Sequence, residues 1–459
     1  MDAKNRTLFG VTLALAVLVA AGCSHDTPTT PAEASTDPVV FDDDFGDAVD
    51  YQAFMGSKLD AVQLDFTEAY SGTASLRVTV PGPGAVDGTF AGGAFTTYNL
   101  RDLSGYNALT FYAKSGVNAT LNVAGVGNDN TGTSLYESSR GAIPLTTDWV
   151  RVIVPIPNPS KLTEEGGLFF FAEGHENNMG YDFWMDEIRF EQVAGITNPR
   201  PVMDTKTETT FVGGRVEISG TSVTFDVDGE DMLIEHLPAC FDYFSSDDGV
   251  ATVADGVVNA VGSGTATVTA ALDTVDVEGE VTVHVMGGPD GPAPAPTVPA
   301  GDVISLFSDV YDDVQVDTWH APWTGSTGEV VDFQIYGDNV KLYTDLNFAG
   351  IEFVSEPIDA GGPGMTHFHM DVWAPSGGLF KVKLVDFGAN GMWDGGGDDS
   401  EDELMFNGGT VPPFFSGQWS LLEIPLSSFE LDSYEHLAQL VISSSDVSTV
   451  MVDNVYFHR

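Results

Sequence analysis

Apolar and polar residues alternate along most of the chain in short runs, as expected when successive side chains point to opposite faces of a β-strand. Two examples are residues 109–116, Leu-Thr-Phe-Tyr-Ala-Lys-Ser-Gly, and residues 264–270, Gly-Thr-Ala-Thr-Val-Thr-Ala. Helical periodicity, with apolar residues three and four positions apart, is almost absent. The chain contains 51 glycines, many of which fall between these runs, where turns are expected. The pattern predicts an all-β protein of short strands joined by tight turns.

Two segments of biased composition divide the chain of 459 residues. Residues 24–38 are rich in Thr, Pro, Ala and Ser, and residues 287–301 contain five prolines. Such segments favour extended, semi-stiff conformations, so they are predicted to be a tether and an interdomain linker. Three folded units are therefore expected: a first unit (39–193), a middle unit (196–286) and a last unit (302–459).

The N-terminus has the pattern of an export signal. Basic residues precede an apolar run, Leu8 to Ala21, that is too short for a permanent transmembrane helix and is followed by Gly22 and Cys23. Residues 1–23 resemble a bacterial lipoprotein signal peptide, which implies cleavage before Cys23 and acylation of its thiol. Ser24 would permit sorting to an outer membrane. The resemblance implies a lipid-anchored protein at the cell surface, and the alternative is an ordinary secretory signal.

The charge balance narrows the class of partner. Asp and Glu total 68 against 17 Lys and Arg, giving a formal net charge of −51, yet 42% of residues are hydrophobic. This hydrophobic content argues against an acidic disordered chain, and the lack of a basic face argues against nucleic acid as a partner. Solubility in a salty or calcium-containing medium is the expected role of the excess acid. Only Cys240 remains after processing, so no intramolecular disulfide is possible.

The first and last units look like diverged copies of each other. Both open on an apolar strand that runs into acids, contain a Trp followed six residues later by Pro, and close on an aromatic strand that carries an Asp. The interval from Asp44 to Asp186 is 142 residues, and that from Asp309 to Asp453 is 144 residues. The matching segments are 39–45 with 304–310, 109–116 with 368–375, 149–155 with 419–425, and 183–190 with 450–457.

This ordered set resembles the galactose-binding-like jelly-roll sandwich of many carbohydrate-binding modules. The last unit is most similar to C-terminal modules of bacterial proteins that degrade laminarin and other β-glucans, and the first unit is similar more weakly. In the middle unit, residues 244–253 and 256–270 resemble the family-2 bacterial immunoglobulin-like domain. The resemblances imply an all-β chain in which an immunoglobulin-like β-sandwich joins two jelly-roll β-sandwiches.

The same resemblance implies structural calcium sites. Ca²⁺ takes hard oxygen ligands, which an Asp at the end of a strand and an acidic first strand can supply. The candidate pairs are Asp44 with Asp186 and Asp309 with Asp453. The alternative is that these acids are merely solvated, as most acids in so acidic a chain must be.

Sugar binding is expected where aromatic rings are exposed beside polar groups, because pyranose rings present apolar faces. Trp319 and Trp323 lie in an early loop of the last unit, and Trp393 lies in the Gly-rich loop 388–399. Nearby candidates for binding hydroxyl groups are Asn390, Asp394 and Asp398. The acids of this loop could instead bind a second Ca²⁺. Trp373 and Trp419 lie on apolar strands and are expected in the core.

Catalytic and transition-metal patterns are weaker. Glu430, Asp432 and Glu435 match the carboxylate spacing of family 16 glycoside hydrolases, but only 24 residues follow Glu435, so the match is interpreted as a coincidence. His367 and His369 share one strand face, a spacing that suits a metal, but the sequence supplies no obvious third ligand. A role in packing or in a binding face is expected instead.

The function predicted from these patterns is non-catalytic capture of a polysaccharide at the cell surface. The expected glycan is a β-glucan such as laminarin, held for partner glycosidases or an importer, with the membrane contacted only through the lipid anchor. One alternative is a structural or adhesion lipoprotein that binds no glycan. A third is a glycoside hydrolase.

Overall fold

A computed structural model describes residues 34–393 and 397–459 of the chain. In these residues the regular structure consists of 33 β-strands and four 3₁₀ turns of three residues each, so the all-β prediction is confirmed. None of the described helices has the length and apolarity needed to cross a bilayer. The predictions for Cys23 and Asp394 lie outside the described residues.

The first unit is a sandwich of two antiparallel sheets. One sheet has the order β10-β7-β12-β1-β2, with β5 beside β12 and β4 beside β5, and the facing strands have the order β9-β8-β11-β6-β3. Buried aromatic rings, among them Phe95, Phe111, Phe169 and Phe183, fill the space between the sheets. The strands are β1 (Val39–Asp42), β2 (Asp44–Phe45), β3 (Val49–Ala53), β4 (Val62–Asp65), β5 (Ser75–Val80), β6 (Ala91–Arg101), β7 (Ala108–Ser115), β8 (Ala119–Val126), β9 (Ser138–Leu145), β10 (Val150–Pro155), β11 (Glu165–Glu173) and β12 (Tyr181–Glu191), with a 3₁₀ turn at Pro159–Lys161.

The middle unit continues a sheet of the first unit. Strand β17 pairs with β9 through Glu235 opposite Ser139, so β13, β16 and β17 extend that sheet to eight strands. Its other sheets have the orders β14-β23-β21-β18, with β22 beside β21, and β15-β20-β19. Buried side chains of both units form one hydrophobic cluster. The strands are β13 (Ile196–Val202), β14 (Lys206–Phe211), β15 (Arg215–Glu217), β16 (Ser222–Val227), β17 (Glu230–His236), β18 (Asp242–Ser245), β19 (Ala251–Ala254), β20 (Val257–Ala260), β21 (Gly264–Leu272), β22 (Val275–Asp276) and β23 (Val281–Met286), with a 3₁₀ turn at Pro238–Cys240.

Cys240 is buried and unpaired, and burial raises the pKa of its thiol to about 12. A thiol with so high a pKa carries almost no thiolate at neutral pH, which is the form that reacts. Cys240 is therefore a packing residue of the middle unit.

The last unit is again a sandwich of two sheets. The larger has the order β25-β26-β33-β28-β31, with β24 beside β33, and the smaller has the order β27-β32-β29-β30. Residues such as Phe368, Met370, Val382 and Leu440 fill the core between them. The strands are β24 (Val303–Phe307), β25 (Glu329–Ile335), β26 (Asp338–Thr344), β27 (Phe348–Glu352), β28 (His367–Trp373), β29 (Phe380–Asp386), β30 (Ser400–Phe406), β31 (Ser420–Pro425), β32 (Leu437–Ser443) and β33 (Val450–His458), with 3₁₀ turns at Ala300–Asp302 and Leu426–Ser428.

The last strands of the first and last units share a local irregularity. The register of β12 with β7 and that of β33 with β28 each shift directly after an Asp. The residues that follow, Glu187 and Asn454, both have a left-handed backbone, with φ of 47° and 49°. Their N–H groups each donate to the preceding carboxylate, that of Asp186 or Asp453. This shared bulge is the structural counterpart of the sequence repeat.

The proline-rich segment 287–301, expected to act as a spacer, lies against the last unit. Side chains of the last unit donate hydrogen bonds to carbonyl oxygens of the proline-rich segment: Tyr336 to Pro289 at 3.1 Å, Trp419 to Gly291 at 3.0 Å and Tyr311 to Val298 at 2.7 Å. Phe211 of the middle unit packs edge-on against the buried ring of Trp373, with 5.9 Å between ring centroids. The predicted linker is thus a packed connection to the last unit.

Candidate functional site: a cleft on the last unit

The outer face of the four-stranded sheet β27-β32-β29-β30 carries an open cleft. Because side chains alternate along a strand, the positions between the core residues of these strands face outward. They are charged or polar at several points, including Glu352 on β27, Lys383 on β29 and Gln439 on β32. A cavity of about 710 Å³ lies on this face. That volume is within the range of pockets that hold small organic ligands.

Trp323 forms part of the wall of the cleft. Its loop is fixed to β27 by a hydrogen bond from the Ala321 N–H to the Gly350 carbonyl oxygen at 2.7 Å. The indole lies so close over Gly350 that a Cβ atom at that position would come within 2.5 Å of the ring. Its Nε1 donates to Glu352 Oε1 at 3.2 Å. Gly350 and Glu352 therefore hold the ring in place at the cleft.

Trp393 also lines the cleft, from the loop between β29 and β30. Its side chain is 50% exposed, and its ring lies 5.9 Å from that of Phe387. The structure thus places two of the three predicted tryptophans, Trp323 and Trp393, at one cavity.

The third predicted tryptophan lies elsewhere. Trp319 is half-buried against the core of the last unit, with its ring 5.6 Å from that of Phe307 and the Lys341 ammonium group 4.9 Å from its centroid. Its carbonyl oxygen accepts a hydrogen bond from the Tyr343 hydroxyl at 2.8 Å. These contacts give Trp319 a packing role.

The predicted polar residues of the Gly-rich loop join the two ends of that loop. Asn390 donates to the carboxylate of Asp398 from its backbone N–H at 3.2 Å and from its side-chain amide at 3.1 Å. Neither residue lines the cavity, so their contribution is to shape the loop that carries Trp393.

Polar side chains that the sequence pattern did not single out line the floor of the cleft. Glu352 Oε1 accepts from Gln439 Nε2 at 3.0 Å as well as from Trp323. Lys383 Nζ donates to Glu401 Oε1 at 3.1 Å. Further residues of the lining are Asn347, Glu403 and Ser443. Because a carboxylate has about four lone-pair sites and an ammonium three donors, these groups can bind additional hydroxyl groups.

The predicted calcium pair of the last unit is joined by two further carboxylates. Asp453 is buried directly opposite Asp371, also buried, and Asp338 lies against the carboxylates of both Asp453 and Asp309. Burial, and next the repulsion from Asp338, raise the pKa of Asp453 to about 9. No donor among the described residues reaches Asp453 Oδ2. Asn339 donates to both oxygens of Asp309, so Asp453 Oδ2, beside the carboxylates of Asp338 and Asp371, is the oxygen that best fits a hard cation such as Ca²⁺.

The corresponding pair of the first unit is arranged differently. Asp186 is buried, and its carboxylate accepts backbone N–H groups of Tyr70 at 2.7 Å, Ser71 at 3.2 Å and Glu187 at 2.8 Å. Asp44 is exposed and accepts the N–H of the adjacent Phe45 at 2.9 Å. Because N–H donors already satisfy Asp186, this site fits a cation less well than the cluster around Asp453.

Comparison with known families singles out the first unit. Residues 37–192 match the family model described as carbohydrate binding domain 30. No curated protein sequence matches the chain. The family match and the open cleft thus lie on different units, and the first unit is similar to an established class of carbohydrate-binding domain.

The solved structures similar to the chain include carbohydrate-binding modules. The family 30 module of a cellulosomal cellulase from Clostridium thermocellum is 20% identical, with a TM-score of 0.24, over 34% of this chain and 94% of that one. A family 11 module from the same organism, in complex with a β-1,3-1,4-mixed-linked tetrasaccharide, is 15% identical, with a TM-score of 0.26, over 35% and 97%. The tandem family 22 modules of Xyn10C from Paenibacillus barcinonensis are 12% identical, with a TM-score of 0.23, over 93% and 98%.

Proposed function

We propose that the chain is a non-catalytic glycan-binding protein and that the cleft of the last unit binds a segment of a polysaccharide. The observation that carries this proposal is the presence of Trp323 and Trp393 at one cavity whose floor bears Glu352, Lys383 and Gln439. Aromatic rings cover the apolar faces of sugars, and the carboxylate, amine and amide groups bind their hydroxyls.

The first unit supports the same function by an independent route, since residues 37–192 match a carbohydrate-binding family. Two glycan-binding units on one chain would gain avidity, because binding of the first raises the effective concentration of the polysaccharide at the second. The choice of a β-glucan, such as laminarin or a mixed-linkage glucan, rests on the sequence resemblance of the last unit.

The arrangement of charges in the cleft favours binding over hydrolysis. A glycosidase needs one carboxyl group that stays protonated as the general acid. Glu401 and Glu403 are instead engaged in ion pairs, with Lys383 at 3.1 Å and with Lys381 at 2.6 Å. Glu430 and Glu435, the carboxylates of the coincidental hydrolase spacing, are exposed, and neither lines the cleft.

The remaining parts of the proposal concern location and stability. A lipid on Cys23 would hold the protein at the cell surface, on an outer membrane, where partner glycosidases or an importer could use the captured glycan. Ca²⁺ bound by Asp309, Asp338 and Asp453 would neutralise these carboxylates, of which Asp453 is buried, and stabilise the last unit.

Affinity electrophoresis tests the central claim. The chain from Ser24 onward is run through native gels that contain laminarin, mixed-linkage glucan or xylan, with Ca²⁺ present, and through a gel without polysaccharide. We expect retardation in at least one β-glucan gel and weaker retardation of a Trp323→Ala, Trp393→Ala double variant. No retardation of the folded chain in a broad glycan panel would refute glycan binding. Equal retardation of chain and variant would assign the binding to the first unit.

A further inference from the structure

The face of the larger sheet of the last unit that is turned away from the core carries a group of histidines. His367 on β28 lies directly opposite His458 on β33, and their rings are stacked with 5.2 Å between centroids and 13° between planes. On the other side of β28, β31 places Glu423 opposite His369. The β-pairing thus gathers residues 367, 423 and 458 on one surface of three adjacent strands.

The side chains converge as well as the strands. One ligand atom from each of His367, Glu423 and His458 can be chosen so that all three lie within 4.8 Å of one another. His458 Nε2 and Glu423 Oε1 are already 2.6 Å apart. His367 and His458 are half-buried and Glu423 is exposed, so the group is open to solvent and can be reached by an ion.

Neighbouring residues orient these three side chains. His369 Nδ1 bonds the second oxygen of Glu423 at 2.7 Å, and its Nε2 lies 3.3 Å from Asp371 Oδ1. The Thr366 hydroxyl bonds His367 Nδ1 at 2.8 Å, which leaves Nε2 of that ring for another partner. Metal-binding histidines and carboxylates are characteristically held by such outer hydrogen bonds.

We propose that His367, Glu423 and His458 form a binding site for a divalent transition metal of the zinc class, with water at the fourth position. Two imidazoles and one carboxylate are a ligand set that binds Zn²⁺. Ca²⁺ requires six to eight oxygen ligands, which this set does not supply. Tetrahedral coordination with bonds of about 2.0–2.1 Å separates neighbouring ligand atoms by ~3.3 Å. The distance between His458 Nε2 and Glu423 Oε1 therefore has to increase by roughly 0.7 Å, which rotation of the side chains can provide.

The site would join the C-terminal strand to its neighbours. His458 is the last residue of β33, and β33 is held at this end by pairing with β24 and β28. An ion bound to residues of β28, β31 and β33 stabilises only the folded arrangement, so its binding free energy adds to the stability of the last unit.

Titration of the chain from Ser24 onward with Zn²⁺ tests the site. Calorimetry at neutral pH is carried out with Ca²⁺ in excess, so that the carboxylate cluster around Asp453 is occupied. We expect one equivalent of Zn²⁺ to bind and the affinity to fall at least tenfold in His367→Gln and in His458→Gln. The matched control is His175→Gln, which removes an exposed histidine of the first unit and should bind as the parent does.

Two further measurements keep the result interpretable. Glu423→Gln preserves the shape of the side chain, and should lower the affinity without altering the circular dichroism spectrum. Cu²⁺ used as a probe should show coupling to two imidazole nitrogens in its electron paramagnetic resonance spectrum, reduced to one in His458→Gln. Absence of Zn²⁺ binding, or affinity unchanged in both histidine variants, would overturn the proposal. Neither readout depends on glycan binding.

Discussion

Replacement of Trp393 by alanine tests whether the cleft uses its exposed ring as a sugar platform. The indole is 50% exposed and has one aromatic neighbour, Phe387, at 5.9 Å. A large aromatic side chain presents about 150–250 Å², so roughly 100 Å² of this ring is open to a ligand. At about 25 cal/mol per Å², complete coverage contributes about 2.5 kcal/mol, and coverage of half contributes about 1.2 kcal/mol.

The expected loss of affinity for Trp393→Ala is therefore about 7- to 70-fold. Calorimetric titration with a soluble oligosaccharide of the glycan retained in the gels gives the dissociation constant. Trp393→Phe keeps a smaller ring and should lose less. Phe244→Ala is the matched control, since Phe244 is 57% exposed on the middle unit and lies outside the cleft.

The melting temperature separates loss of binding from loss of fold. A half-exposed loop residue with one aromatic neighbour should contribute little to the stability of the last unit, so we expect melting of Trp393→Ala within a few degrees of the parent. A dissociation constant within twofold of the parent, measured on folded Trp393→Ala, would refute the assignment of this ring as a platform.

Three other substitutions test the remaining structural claims. Gly350→Ala places a Cβ within 2.5 Å of the Trp323 ring and should displace it, so glycan affinity should fall severalfold in calorimetry; unchanged affinity would show that Trp323 is dispensable. Added Ca²⁺ should raise the melting temperature of the metal-free parent but not that of metal-free Asp453→Asn, which lacks a ligand; an equal response of the two would contradict a calcium site at Asp453. Burial raises the pKa of Glu165 from its usual value near 4.5 to about 7, so the folded state retains a proton that the unfolded state loses, and stability should decrease as the pH rises from about 4.5 to 7. Glu165→Gln removes this pH dependence of stability. Urea unfolding should show the variant to be more stable than the parent by up to about 3 kcal/mol at pH 8 and nearly equal in stability at pH 4.5. A stability difference that is the same at both pH values would refute burial of Glu165 as the cause.

Alternation in the sequence was sufficient to predict the fold class, because each strand has to bury one of its two faces. The absence of alternation around Trp323 and Trp393 predicted loops, and the structure places both rings at the cleft. Both lie in segments rich in Gly and Pro, where no core can bury an indole, and the structure leaves Trp393 half exposed. Trp319 has the same sequence context but packs on Phe307 and Lys341. Both lie on other segments of the chain and are adjacent to Trp319 only in the folded structure.

The floor of the cleft could not be predicted in the same way. Alternation shows that Lys383 and Gln439 face away from the core, but every strand of a sandwich has such positions. What distinguishes these two is that β29 and β32 are neighbours in the smaller sheet, a pairing between segments about 55 residues apart. One signal was available: lysines are scarce in this chain, and the strand 380–386 carries two.

Long-range pairing also explains why the histidine site was not found in the sequence. His367 and His369 are visible as a pair, but the third and fourth participants, Glu423 and His458, come from strands 54 and 89 residues beyond His369. The same reason applies to Asp338, which joins Asp309 to Asp453 although it follows an unrelated turn. The packed connection at 287–301 likewise depends on partners, such as Tyr336 and Trp419, that composition does not reveal.

The charge of the chain bears on which glycans the cleft can hold. Among the described residues that line it are three carboxylates, Glu352, Glu401 and Glu403, against one lysine, Lys383. A uronate or a sulfated sugar would meet this local excess of negative charge as well as the net charge of −51, and salt would reduce that repulsion without reversing it. A neutral sugar meets no such penalty, and its hydroxyls donate hydrogen bonds to carboxylates, which are stronger acceptors than neutral groups. The excess of carboxylates in the cleft therefore favours a neutral polysaccharide, as a β-glucan is, over an acidic one.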